Sequence, residues 1–303
     1  MADIISDLKD KFRRGDIVTQ LIFINVGIFI ITALTKLVLH LFNKSAVFID
    51  LYTSLPADFE AIAKTPWTII TYMFMHAGIL HLFFNMLVLY WFGRFFLNFF
   101  SAKHLRGLYF LGGIMGGLFF VAAYHIFPVF QDAIYSSRLT GASASVLALV
   151  IAVATKAPSH NIRLLLVGSI RLKYLALFIV VLNLITITGD NPGGQIAHLG
   201  GALSGYLFVV ALSKGWDLTR WINAVLDIPY TLRDKYRKMK ERKKQKMKIV
   251  KDKSFTKRTA DYQYNSNKKA SGEEIDRILD KIKESGYTNL SEEEKRKLFD
   301  AGK

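Results

Sequence analysis

One serine and one histidine of the chain could form a nucleophile and its general base. Ser143 lies in the run GASAS at residues 141–145, whose small neighbours leave room for a substrate backbone. A serine hydroxyl is a weak nucleophile until a base takes its proton, and His198 is the candidate base. Ser145 is a second candidate nucleophile. It lies about 200° around a helix from Ser143, so only one of the two can face His198.

Two further polar side chains could stabilise the oxyanion that forms in an acyl-transfer reaction. His81 and Asn85 are four residues apart, so they share one face of a helix. With the backbone N–H of Ser143, they could donate hydrogen bonds to the developing negative charge. Asp132 and Asp190 lie in the expected outer loops, which places them poorly to orient His198, although the sequence excludes neither. The pattern therefore favours a Ser–His dyad over a triad.

Zinc binding is the competing chemistry for these residues. His76, His81 and His198 could supply three nitrogen ligands. However, the interval of five residues between the first two does not place both on one helix face. Neither is followed by the glutamate of the H-E-x-x-H pattern. We therefore expect neither a metal nor another cofactor.

Six apolar segments must position these groups, each near the length that crosses a hydrocarbon core of about 30 Å. They are residues 18–42, 78–100, 105–127, 141–155, 172–188 and 194–212. The fourth is short for a span, which suits a helix that is surrounded by other helices. The composition agrees, because 51% hydrophobic residues and a mean hydropathy of +0.26 are too apolar for an ordinary soluble domain. The absence of cysteine excludes thiol chemistry and disulfides.

The distribution of basic residues predicts the orientation of these segments. Residues 231–260 contain 14 Lys and Arg against 3 Asp and Glu, and further basic residues lie between segments two and three and between four and five. Positive charge marks the cytoplasmic side, so both termini are expected inside, and segments two, four and six begin at the outer face. The candidate catalytic groups then share one depth. Each alone is more often a packing residue, but their common level favours one site.

Two glycines after the candidate base predict which segments are neighbours. Gly201 and Gly205 follow His198 by three and seven residues, and therefore lie on its side of the helix. Glycines let helix backbones approach closely in lipid. We expect the sixth segment to pack on the fourth in this way, which would bring His198 near Ser143.

The chain divides by composition into three parts. Residues 1–17 are the expected cytoplasmic N-terminal segment, residues 18–213 the six-helix membrane domain, and residues 214–303 a basic cytoplasmic tail. Beside membrane spans, this basic charge more simply faces anionic lipid than nucleic acid. Capping boxes at residues 271–274 and 291–294 predict two short amphipathic helices on a flexible tether. The alternative is a solvated, partly disordered tail.

Taken together, these motifs resemble the rhomboid family of intramembrane serine proteases. The matching pieces are His76 with HLFFN at residues 81–85, GASA at 141–144, and AHLGG at 197–201 followed by Gly205. The six-span layout with a long first outer loop is similar to the basic bacterial form. The resemblance covers residues 15–213 and implies an all-α, polytopic six-helix bundle with a cytoplasmic tail.

The resemblance implies Ser143 as nucleophile and His198 as general base, with His81 and Asn85 in the oxyanion hole. The supporting residues that it implies are His76, Gly141, Gly201 and Gly205. It also implies a multi-pass protein of the plasma or inner membrane that needs no cofactor. Its expected partners are single-span membrane proteins, cleaved near their outer ends after lateral entry from lipid, and the bilayer itself.

Three positions depart from the common family pattern. Thr68 stands where arginine is frequent, so a stabilising contact of the first loop is expected to be missing. Ala144 replaces a glycine, and its methyl group is expected to narrow the oxyanion pocket. Leu147 stands where an aromatic residue often packs on the catalytic histidine. Without that ring contact, His198 is expected to be positioned by packing alone.

Two other functions compete with proteolysis. A catalytically silent rhomboid-like protein could bind and escort membrane clients, but a binder has no need of both Ser143 and His198. A transporter would have broken helices with ionisable residues near mid-membrane. In this sequence the polar groups gather near one face.

Overall fold

A computed structural model describes residues 2–164 and 168–301. The helices are α1 (Ala2–Arg14), α2 (Ile17–Leu41), α3 (Val47–Thr53), α4 (Phe59–Lys64), α5 (Thr68–Thr71), α6 (Ile79–Phe96), α7 (Ala102–Ile126), α8 (Ser143–Lys156), α9 (Leu172–Ile185), α10 (Pro192–Ser213), α11 (Arg220–Ser285) and α12 (Glu292–Ala301). The strands are β1 (Leu55–Pro56), β2 (Arg138–Leu139), β3 (Asn161–Leu164) and β4 (Gly168–Arg171).

The apolar helices form the all-α polytopic bundle that the sequence predicts. In the described part of the chain, α2, α6, α7 and α10 are long and apolar enough to cross a membrane. α8 and α9 are apolar but have 14 residues each, which is about 21 Å of helix and less than the hydrocarbon thickness. These six helices match the six apolar segments in order.

α8 is the buried centre of the bundle. Residues 144–154 are all buried, and the helix contacts α6, α7, α9 and α10. α7 approaches it through Gly112 and Gly116, where an added Cβ atom would meet Ala148 and Ala144 respectively. Because protein surrounds α8 on several sides, its polar first turn can lie below the membrane surface.

α10 packs on the opposite flank of α8, as the glycine spacing predicts. A Cβ atom at Gly201 would meet the carbonyl oxygen of Ala144, and one at Gly205 would meet that of Ala148. Neither position can therefore carry a side chain without moving a helix backbone. This approach sets the first turn of α8 beside the second and third turns of α10, which carry His198 and Gly201.

The loop between α2 and α6 is tied to the segment that precedes α8. β1 pairs antiparallel with β2, with Leu55 opposite Leu139. Arg138 of β2 donates a hydrogen bond from Nη1 to the carbonyl of Leu51 at 3.2 Å. The buried hydroxyl of Thr68 donates to a carbonyl within the loop at 2.7 Å. The loop therefore holds a guanidinium contact from β2, although residue 68 is not an arginine.

The chain separates into two compact units, residues 1–227 and 228–303. The first contains α1 to α10 and also residues 214–227. The boundary set by packing therefore lies after residue 227, whereas the change in composition lies after residue 213. The second contains most of α11 and α12. α11 and α12 bury Ile278 and Leu290 and are joined by ion pairs of 2.9 Å from Lys281 to Glu294 and from Lys297 to Glu274.

The tail contains one long helix where a short one was expected. The prediction that a helix begins at residues 271–274 is wrong, because α11 runs through them to Ser285. No glycine or proline occurs in residues 230–271, so nothing in the backbone chemistry interrupts the helix. The second capping box does form. Glu294 N–H donates to Ser291 Oγ at 3.3 Å, and Ser291 N–H donates to Glu294 Oε2 at 2.8 Å.

Candidate active site

Ser143 is the first residue of α8, and a glycine turn leads into it. Gly141 has a φ of +126°, a backbone conformation that residues with a side chain rarely adopt. Its N–H donates to the carbonyl of Tyr72 at 2.9 Å. A Cβ atom at Gly141 would lie 2.8 Å from the ring of His81. Glycine here both permits the turn and leaves room for the imidazole.

The hydroxyl of Ser143 contacts the imidazole of His198. Oγ lies 2.7 Å from Nε2, although 55 positions separate the two residues. Ser145 lies on another face of α8, and its buried hydroxyl has no hydrogen-bond partner among the described residues. Of the two serines that the sequence offers, Ser143 is thus the one that faces His198.

The second ring nitrogen of His198 contacts a residue that the sequence analysis missed. Nδ1 lies 2.6 Å from Oδ1 of Asn183, a buried residue in the last turn of α9. The expectation that packing alone positions His198 is therefore wrong, because a hydrogen bond also orients its ring. One signal could have found it. Asn183 is a lone amide in an apolar segment, and such groups are costly in a membrane without a partner.

His81 and Asn85 approach the same place from α6. The ring of His81 lies against Gly141, beside the Ser143 hydroxyl, which is 3.6 Å from the Cβ position of that glycine. Asn85 is buried, and its Nδ2 donates to the carbonyl of His81 at 2.8 Å. The His76 and His81 rings lie 5.3 Å apart between centroids. The structure thus gathers the imidazoles and the amide of Asn85 that the sequence singled out, whereas Gly201 and Gly205 act in helix packing.

A largely apolar cavity opens beside the Ser–His pair. Its volume is about 420 Å³, and α6, α8, α9 and α10 supply its walls. The polar side chains that line it are Asn85, Ser143, Asn183, Thr186, Gln195 and His198. The other lining residues are apolar, and they include Leu147. Such a cavity can accept an apolar side chain next to a nucleophile.

The methyl group of Ala144 does not narrow this cavity. A Cβ atom at Gly116 of α7 would meet the Cβ of Ala144, so the methyl group faces α7. Ala144 is not among the described residues that line the cavity. The narrowing expected from this departure is therefore not found at the cavity wall.

Comparison with known families agrees with this architecture. Residues 63–215 match the Rhomboid domain family. Residues 258–301 match a family of unknown function, DUF6576. No curated protein matches the chain. Because the first match spans half of the chain and contains the helices that carry the candidate site, the fold is that of a polytopic membrane protein of the intramembrane-protease type. The chain belongs to the rhomboid family.

Proposed function

We propose that the chain is an intramembrane serine protease that uses a Ser–His dyad. The observation that supports this function best is the 2.7 Å contact between Ser143 Oγ and His198 Nε2 in a bundle of apolar helices. Such a contact lets the imidazole take the hydroxyl proton as the oxygen attacks. A protein that only escorts membrane clients would have no use for this contact.

The reaction follows the usual sequence for a serine nucleophile. Ser143 Oγ attacks the scissile carbonyl carbon, and Nε2 of His198 accepts the hydroxyl proton. When the tetrahedral intermediate collapses, the C–N bond breaks, and Nε2–H gives its proton to the leaving amine. A water molecule then attacks the acyl carbon while Nε2 of His198 accepts a proton from it. The bond between the acyl carbon and Oγ breaks, Nε2–H returns the proton to Ser143 Oγ, and the carboxylic acid product leaves.

Three donors are proposed to stabilise the oxyanion. Ser143 begins α8, where backbone N–H groups have no intrahelical acceptor and the helix dipole favours negative charge. Its N–H can therefore donate to the oxyanion. Asn85 lines the cavity, and one hydrogen of its amide remains after the bond to the His81 carbonyl. The ring of His81 supplies the third donor from beside Gly141.

The proposed substrates are single-span membrane proteins. The cavity beside Ser143 is bounded by membrane helices, so a substrate helix arriving through lipid could place an apolar side chain there. We propose that residues 18–213 carry this activity near the outer face of the plasma or inner membrane. The tail, residues 214–303, is proposed to face anionic lipid on the cytoplasmic side, since its basic run carries a net charge of +11 over residues 231–260.

The test is cleavage of a single-span substrate by the protein reconstituted in liposomes. The Ser143→Ala and His198→Ala variants should each lose at least about 1000-fold in kcat, because each removes a member of the proton-transfer pair. Ser145→Ala is the matched control, the same change two residues away, and should cleave at the wild-type rate. If wild type and all variants bind several substrates but cleave none, binding of membrane clients by a catalytically silent protein becomes the better-supported function.

A further inference from the structure

We propose that Asn183 is a positioning residue that fixes the tautomer and the orientation of His198. The inference rests on the proposed function, in which His198 is the general base. It starts from two hydrogen bonds of one buried amide. Asn183 Oδ1 lies 2.6 Å from His198 Nδ1, and Asn183 Nδ2 donates to the carbonyl of Ile179 at 2.7 Å.

The direction of each hydrogen bond follows from the chemistry of the groups. The carbonyl of Ile179 can only accept, so the NH₂ of Asn183 must point to it. The oxygen of that amide then faces His198, and it too can only accept. Nδ1 of the imidazole must therefore carry the ring proton. Nε2 is left with its lone pair, which accepts the hydrogen bond from Ser143.

A backbone carbonyl in α9 thus determines which nitrogen of His198 can act as the base. The opposite tautomer would put a hydrogen on Nε2, where it could not take the proton of Ser143. It would also leave the oxygen of Asn183 without its donor in a buried site, at the cost of an unmade hydrogen bond. The amide is neutral, so it orients the imidazole without the cost of a buried carboxylate in a membrane helix.

The positions of Asn183 and His198 along two consecutive helices explain why α9 can supply this amide. His198 lies six residues into α10, or about 9 Å along its axis. A 3₁₀ turn, Thr186–Thr188, continues α9, and Asn183 lies five residues before the end of this turn, or about 8 Å along the axis. The two helices are consecutive, so the two side chains meet at one level. The protein therefore has a hydrogen-bonded Ser–His–Asn series drawn from three helices.

The kinetic test compares substitutions of two similar buried asparagines. Asn183→Leu should lower kcat by about 10- to 100-fold with little change in KM, because the lost bond serves a ring that becomes charged during the reaction. Asn25→Leu is the control. Asn25 is also buried and also donates from Nδ2 to a carbonyl four residues earlier, that of Leu21 at 2.8 Å, but it lies on α2. Its kcat should stay within about threefold of wild type.

A second variant separates positioning from packing. Asn183→Asp keeps an acceptor oxygen, so kcat should recover most of what the leucine variant loses. A carboxylate also stabilises the imidazolium, so the acid limb of the pH–rate profile should move to higher pH. An aspartate variant with an unmoved profile, or a leucine variant with the kcat of wild type, would overturn the proposal.

The tautomer can be measured without any cleavage. In ¹H–¹⁵N spectra of histidine-labelled protein, the His198 signals, assigned by their loss in His198→Gln, should show the proton on Nδ1. In Asn183→Leu, protonated Nε2 should appear. An identical tautomer in both proteins would refute the role of Asn183. A wild type that cleaves nothing would instead end the protease function, while the spectra would still decide the positioning of the ring.

Discussion

Gly201 of α10 packs directly on the carbonyl group of Ala144, the residue that follows Ser143 in α8. No side chain fits between the two backbones. The contact sets the separation of α8 and α10, and with it the distance between the hydroxyl and the imidazole that these helices carry. Helix packing and the geometry of the proposed dyad are therefore one property of the bundle.

Gly201→Ala should separate the two helices and reduce both stability and cleavage. An overpacked core costs about 1–3 kcal/mol, and a shift of about 1 Å in reacting groups can lower kcat by about 100-fold. Gly27→Ala is the matched control, because a Cβ atom there meets nothing within 4 Å. It should leave cleavage unchanged. Unfolding in detergent and the liposome assay measure the two effects, and equal behaviour of both variants would contradict this packing role.

Single cysteines should report the orientation of the chain, since the natural sequence has none. Ser136 lies in the exposed connection between α7 and α8, and Ser266 lies in the exposed part of the tail. The two test variants are Ser136→Cys and Ser266→Cys. An impermeant maleimide applied to intact cells should label the first and not the second. Permeabilisation should make both reactive. Labelling of residue 266 alone in intact cells would show that the orientation is the reverse of the one proposed.

The helix start at Ser291 should depend on pH through Glu294. The backbone N–H of Ser291, and then the ammonium of Lys281, lower the pKa of this carboxyl from about 4.5 to about 2. The stabilisation is therefore fully present above pH 4.5 and is lost as the pH falls towards 2. The protection factors of the amides of residues 292–301, which are exchange rates corrected for the intrinsic effect of pH, should fall over this interval.

Two glutamine variants test the origin of that pH dependence. Glu294→Gln should keep nearly constant protection factors between pH 5 and pH 2, because the titrating group is gone. Glu293→Gln changes the neighbouring glutamate, which lies 3.6 Å from Lys297, and should keep the wild-type dependence. If both variants titrate like wild type, another group controls this helix.

Arg106 should hold the first turns of α11 on α7. Its Nη2 lies 2.7 Å from Asp227 Oδ1, and its Nε lies 3.0 Å from Asn223 Oδ1. The hydrogen bond from the guanidinium holds the pKa of the Asp227 carboxyl below its usual range. Arg106→Gln should raise amide exchange in residues 220–227 several-fold. Lys103→Gln removes a more exposed cation, 3.4 Å from Asp227, and should change it little. Equal protection in both variants would argue against this anchor.

Much of the architecture was readable from local patterns. The six apolar segments and their order follow from hydropathy, because each span must satisfy its own backbone hydrogen bonds in lipid. The packing of the sixth segment on the fourth followed from glycine spacing. The prediction of a helix start failed in the tail, where the capping sequence at residues 271–274 lies inside α11. A capping box starts a helix only if the preceding residues do not continue one.

The sequence by itself determined which residues could do chemistry, and the tertiary structure decided which of them meet. Ser143, His198, His81 and Asn85 were identifiable because polar groups are rare in apolar segments and because the predicted orientation places these four at one depth. Which serine faces His198, and that Asn183 orients its ring, depended on the rotation of α8, α9 and α10 about their axes. Hydropathy fixes how deep a residue lies, but only side-chain packing between helices fixes the direction in which it points.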